Sequence, residues 1–153
     1  MLLEAGAQVD RPDEFGATAL MKAATAGEAG TLAQLLAAGA DANAAVFTDG
    51  GEMGGRCTAA HVAVLRNHIA ALNAVLVAPG VDPDMGTTGV GPPCLGACYY
   101  GYPDAVALLL AHGADPNIAN VEGRTAFMSA AQFGNTASLR ALADGAAQQE
   151  GRT

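Results

Sequence analysis

The sequence predicts an all-α repeat solenoid, a row of short helix pairs stacked side by side. Three observations lead there. A turn text recurs: Gly39-Ala40-Asp41-Ala42-Asn43, Gly80-Val81-Asp82 and Gly113-Ala114-Asp115-Pro116-Asn117. A helix-opening text recurs ahead of it, as Thr18-Ala19-Leu20-Met21-Lys22-Ala23-Ala24 and Thr125-Ala126-Phe127-Met128-Ser129-Ala130-Ala131. Aligned on the residue that opens each unit, Thr18, Thr58, Pro92 and Thr125 lie 40, 34 and 33 residues apart. A fixed period of this size marks a stacked array of supersecondary units, none of which buries its apolar face alone.

Each unit reads as two helices. Thr18 is an N-cap candidate, its hydroxyl placed to accept an orphan amide of the first turn. Leu20, Ala23 and Ala24 follow on one helical face. Gly27 ends the first helix, because glycine tolerates the left-handed backbone. Asn67, Gly101 and Gly134 hold the same place in the later units. Leu32, Leu35 and Leu36 form the expected buried stripe of the second helix, and Gly39 stops it. The second helices of the other units end in Val75-Leu76, Leu109-Leu110 and Ala141-Leu142. Asp41 and Asn43 suit the turn that follows.

Two units depart from the pattern. The segment Ala45 to Gly55 inserts extra residues into the second unit and is expected as a Gly-rich flexible loop. In the third unit Pro92 replaces the capping Thr, although Pro93 suits the first helical position. Gly86, Gly89 and Gly91 loosen the connection before it, and Gly96 weakens its first helix by about 1 kcal/mol relative to Ala.

These texts resemble the ankyrin repeat, whose usual form is G-x-T-P-L-H-x-A-A, a second helix ending in L-L, and then G-A-D-x-N. The resemblance spans residues 1–145, nearly the whole chain, with units at about 1–12 (partial), 13–45, 46–84, 85–117 and 118–145. Residues 146–153 are expected as a polar, frayed tail. Met1 to Asp10 matches only the end of a unit. Fraying of residues 1 to about 12, or association through that end, is therefore expected, the chain being otherwise a monomer. The fold implied is an α-solenoid of helix-turn-helix units joined by hairpin-like loops. The function implied is recognition of a partner protein through the groove formed by the hairpin tips and first helices. Carried over position by position, the resemblance assigns that groove Glu14, Phe15, Ala17, Thr25 and Ala26 from the first unit. The second supplies Cys57, Leu65, Arg66 and, in the insertion, Phe47. The third supplies Tyr99 and Tyr100, and the fourth Val121, Glu122, Arg124, Gln132 and Phe133. His61 falls at the motif histidine, which implies a hydrogen-bonding role in the hairpin and helix framework.

Composition narrows the alternatives. Seven Lys and Arg against fifteen Asp and Glu give a net charge of −8. A nucleic-acid reader needs a basic surface for phosphates, and an anionic membrane attracts basic segments, so neither partner fits. No apolar run approaches the ~20 residues of a membrane-spanning helix, and no signal-peptide pattern is visible. Cys57, Cys94 and Cys98 are an odd number without a disulfide framework, which fits a reducing compartment and a cytoplasmic setting.

No catalytic residue is assigned. The sequence has no nucleophile elbow and no phosphate loop, and its carboxylates are scattered over repeat turns. Cys94 and Cys98, four apart on one helix, have the chemistry of a soft-metal site only with further ligands. Both fall at buried repeat positions, where free Cys acts as a small hydrophobe. No cofactor and no metal is therefore expected. Two other readings stand beside recognition: a spacer within a longer protein, and a metal or enzymatic site on the same scaffold. The missing cap makes a direct prediction. Pro92→Thr stabilises by up to about 1 kcal/mol in denaturant melts.

Overall fold

The structure is a computed structural model and describes residues 8–48, 55–86, 89 and 91–151. Its described helices form four pairs: α1 (Ala19–Ala26) with α2 (Ala29–Ala37), α3 (Ala59–Leu65) with α4 (Ile69–Leu76), α5 (Pro93–Tyr100) with α6 (Pro103–Ala111), and α7 (Ala126–Gln132) with α8 (Thr136–Glu150). The first helices pack in the order α1, α3, α5, α7, and the second helices form a parallel layer behind them. Thr18, Thr58 and Thr125 cap α1, α3 and α7 as the repeat text requires. Pro92 caps α5 through extended backbone with no side-chain bond, and Pro93 occupies the first turn. The left-handed positions are also where expected: Gly27, Gly101 and Gly134 have φ of 76°, 74° and 66°, and Asn67 has 54°.

Burial follows the neighbour, not the residue type alone. Leu32, Leu72 and Val106 hold one position of successive second helices and are 0 % exposed. Leu139 holds that position in the last pair and is only half-buried. Val75, Leu109 and Leu142 hold another position and are likewise 0 % exposed, whereas Leu35, its equivalent in the first pair, is half-buried. One position faces the following pair and the other the preceding pair, so each opens at one end of the stack. The continuous stripe expected in α2 is thus confined to Leu32, with Leu35 and Leu36 packing at its edge.

The closing turns are tied across the stack. The Asp10 carboxylate accepts the Asp41 amide at 3.0 and 3.2 Å. Asn43 accepts from the Asp82 amide at 2.8 Å and donates to the Gly80 carbonyl at 2.9 Å. Asp84 accepts the Asp115 amide at 2.9 and 3.1 Å. Burial, together with the charges of Asp82 and Asp115, raises the Asp84 pKa against the opposing effect of that amide. Asp10 and Val9, expected to fray, are therefore docked on the first turn and the core. Met1 to Ala7 lie outside the described residues.

Two further expectations are corrected. The insertion contributes regular structure: β1 (Ala45–Thr48) and β2 (Gly55–Thr58) pair antiparallel, with Ala45 opposite Thr58 and Thr48 opposite Gly55. Backbone pairing accounts for the amides and carbonyls that a free loop leaves to water; residues 49–54 lie outside the described residues. The polar tail is not frayed through residue 150, because α8 runs to Glu150. There the Gln149 amide donates to the carbonyls of Ala114 and Leu110 at 3.0 and 3.4 Å, which anchors the last turn on the preceding pair.

Two helical glycines differ in what surrounds them. A Cβ on Gly96 meets only Val64 Cγ1 at 3.9 Å, whereas one on Gly145 collides with the Leu110 side chain where α8 crosses α6. The same substitution therefore acts in opposite directions. Gly96→Ala stabilises by about 1 kcal/mol through helix propensity, and Gly145→Ala destabilises by about 1–3 kcal/mol through overpacking, both read from denaturant melts.

Candidate protein-recognition groove

The hairpins are held by side chains that copy backbone. Asp13 Oδ1 accepts the amides of Phe15 and Ala17, each at 2.9 Å. Its other oxygen pairs with Lys22 at 2.7 Å, and this contact with Lys22, reinforced by the amides, holds the carboxyl below its usual pKa. Asn120 does the same for Glu122 and Arg124, each at 3.0 Å. These bonds present the hairpin residues outward. Phe15 is 77 % exposed and Val121 73 %, with Glu14 and Glu122 exposed beside them. Arg124 is half-buried and reaches Glu122 at 3.5 Å.

The first helices carry the next rows of groove positions. Thr25 and Ala26 are exposed, Leu65 is half-buried and Arg66 exposed. Tyr99 and Phe133 are 40 % and 44 % exposed, Gln132 is exposed and Tyr100 half-buried. The third and fourth units come together through their rings. Tyr99 and Phe133 meet edge to face with centroids 4.6 Å apart, and Tyr99 meets Tyr100 at 5.0 Å in the same manner. Tyr102 extends the array by stacking on Tyr100 at 5.8 Å. Tyr102 was missed in the sequence because it stands where a helix-opening residue is expected.

The first two units hold a different feature. Phe15, Ala17, Met21, Lys22, Thr25, Val46, Cys57 and Val62 line an open cleft of about 480 Å³. Cys57 itself is only 3 % exposed, which corrects its place among the exposed groove residues. It alternates with exposed Arg56 along β2, so its side chain enters the packed face. Burial pushes its thiol up to about 11. Phe47 lies in β1, and its side chain is outside the described ones.

The remaining chemistry-bearing residues are inward. Cys94 and Cys98 are 0 % exposed and free. The hydrogen bond between the two thiols, then burial, raises the pKa of Cys94, so the thiol stays protonated at neutral pH. Among the described residues no group of three or more His, Cys, Asp or Glu side chains gathers into a metal-binding set. No helix among them is long and apolar enough to cross a membrane.

His61 joins two units. Its Nδ1 lies 2.9 Å from Thr58 Oγ1 and accepts the Thr58 amide at 3.4 Å, which completes a capping box. Its Nε2 lies 3.0 Å from the Gly91 carbonyl of the next unit. An accepting Nδ1 and a donating Nε2 define the neutral tautomer. Comparison with known families matches two stretches of the chain. One family model, for ankyrin repeats in three copies, covers residues 1–87. Another, for ankyrin repeats in many copies, covers residues 95–143.

The chain belongs to the ankyrin-repeat family. No curated protein sequence matches it. Ankyrin repeats are in general modules of protein–protein interaction, and the family is typically non-catalytic.

The buried histidine makes this ankyrin stack sensitive to acid. Burial lowers the His61 pKa below 6.5, against the opposing pull of the Gly91 carbonyl. A base whose folded pKa is depressed contributes stability above its unfolded pKa and loses it as pH falls towards the folded value. Stability thus falls from about pH 6.5 downward, by at most about 1.4 kcal/mol per pH unit for one proton. Denaturant melts between about pH 5.5 and 7.5 read this slope. His61→Met, which copies Met21 and Met128 at the equivalent positions, removes it.

Proposed function

We propose that this ankyrin stack recognises a partner protein along the strip formed by its hairpins and first helices. The observation that carries the reading is the ring contact between Tyr99 and Phe133. Two successive units place aromatic side chains together, yet both residues remain more than one-third exposed. Rings held by neighbours and still open to solvent lose little conformational freedom on binding, and Tyr is enriched at interface hot spots. The cleft beside Phe15, Met21 and Val46 adds a second apolar surface on the same side. The strip's assigned residues are Glu14, Phe15, Phe47, Leu65, Arg66, Tyr99, Tyr100, Val121, Glu122, Arg124, Gln132 and Phe133. No catalytic, metal-binding or cofactor role is assigned. The three free, buried thiols support a reducing, cytoplasmic setting.

A selection of displayed peptides on the immobilised protein, followed by affinity measurements, tests the surface. Tyr100→Ala and Phe133→Ala each weaken the selected binders by about 1–3 kcal/mol, while Gln34→Ala on the outer face changes affinity little. Loss with Gln34→Ala and none with the groove variants assigns binding to the opposite face.

A further inference from the structure

The charges of the described residues are unevenly distributed between the two sides of the stack. The closing turns and second helices carry mainly carboxylates, among them Asp41, Asp82, Asp84, Asp104, Asp115 and Asp144. The strip of hairpins and first helices carries Lys22, Arg56, Arg66 and Arg124 beside Asp13, Glu14 and Glu122. Lys22 is neutralised by Asp13 at 2.7 Å and Arg124 lies 3.5 Å from Glu122. Arg66 is exposed, and among the described residues no carboxylate pairs with it. It stands in the second unit at the position held by Tyr100 in the third and Phe133 in the fourth. An unpaired cation thus precedes an aromatic array along one row.

On the reading that this strip is the binding surface, we propose that its ligand is an extended acidic–apolar peptide segment. A carboxylate pairs with Arg66, and a large apolar side chain rests on the Tyr99 and Phe133 rings. Packed helices lie 8–10 Å apart, and an extended chain advances about 3.3 Å per residue, so the two groups are separated by about three residues. Charge complementarity selects this class of partner. The outer face repels an acidic segment, while the strip offers it Arg66, an unpaired cation in the same row as Tyr100 and Phe133. A basic segment is drawn to the carboxylate-rich outer face and meets repulsion at Arg66.

The probes are fluorescein-labelled peptides in a neutral Gly/Ser background, each with one Glu three residues from one Trp, in both chain directions, and matched peptides with Lys for Glu. Fluorescence anisotropy shows the Glu form in one direction binding at least tenfold tighter than its Lys counterpart. Arg66→Glu reverses that ranking, and Arg66→Gln abolishes it. Phe133→Ala weakens both peptides and leaves the ranking in place. Equal binding of Glu and Lys peptides that is still lost with Phe133→Ala overturns the acidic class and leaves the groove standing. Binding that is insensitive to Arg66 and Phe133 but lost with Gln34→Ala overturns the groove itself. No binding by any of the peptides up to about 1 mM, a free energy near −4 kcal/mol, overturns the proposal as well.

Discussion

Everything in this molecule depends on how closely one helix pair approaches the next. The surfaces that meet are built from small side chains. Ala24, Ala63, Cys94, Ala97, Cys98 and Ala130 are all 0 % exposed between successive first helices. Neither a lone pair nor its helices, of 7–9 residues apart from the 15-residue α8, has enough apolar surface to offset the entropy of ordering. Stability is therefore held in the interfaces between pairs, and each unit is as stable as its neighbours make it. The ends show this directly. Met128 and Ala131 are exposed in the last pair, whereas Met21 and Ala24 at the same positions of the first are 3 % and 0 % exposed.

Polar side chains set the register of those interfaces by binding the neighbour's backbone. His61 reaches the Gly91 carbonyl, Asn43 bonds to Gly80 and Asp82, and Asn135 donates to the carbonyls of Cys98 and Tyr99 at 2.7 and 3.2 Å. Turn and helix-end groups that a lone unit leaves to water thereby find partners across the stack. The close fit also dictates glycine. A Cβ on Gly101 falls 2.8 Å from Asn135 Oδ1, and the residue has φ of 74°, so geometry and space both exclude a side chain. Register in turn places equivalent residues in rows. Tyr99 and Phe133, distant in the chain and one position apart in the repeat, come to share one exposed cluster because neighbouring rows meet where α5 packs on α7.

Much of this was legible in advance because a repeat states its local rules several times. The three threonine caps, the left-handed Asn67 and the inward cysteines each follow from position within the unit. Legibility ended where a residue's environment came from something other than a standard neighbour. Cys57 was read as exposed because its position is outward in the family pattern, but the extended hairpin of β1 and β2 turns it into a covered cleft wall. Leu35 was read as buried because its equivalents are, but no described helix covers that side of α2. Tyr102 gave no signal, because its partner Tyr100 lies across the break between two helices.

The sequence by itself determined the unit: where each helix starts and stops, which face is apolar, and that such units must stack. Those are consequences of capping, helical period and backbone freedom, which act over a few residues. Only the tertiary structure decided which apolar positions are sealed, how far α8 extends, why Gly145 must lack a side chain, and which rings touch. These are properties of the space between units. Contact across that space depends on the distance and angle of approach, and no single unit's text contains either.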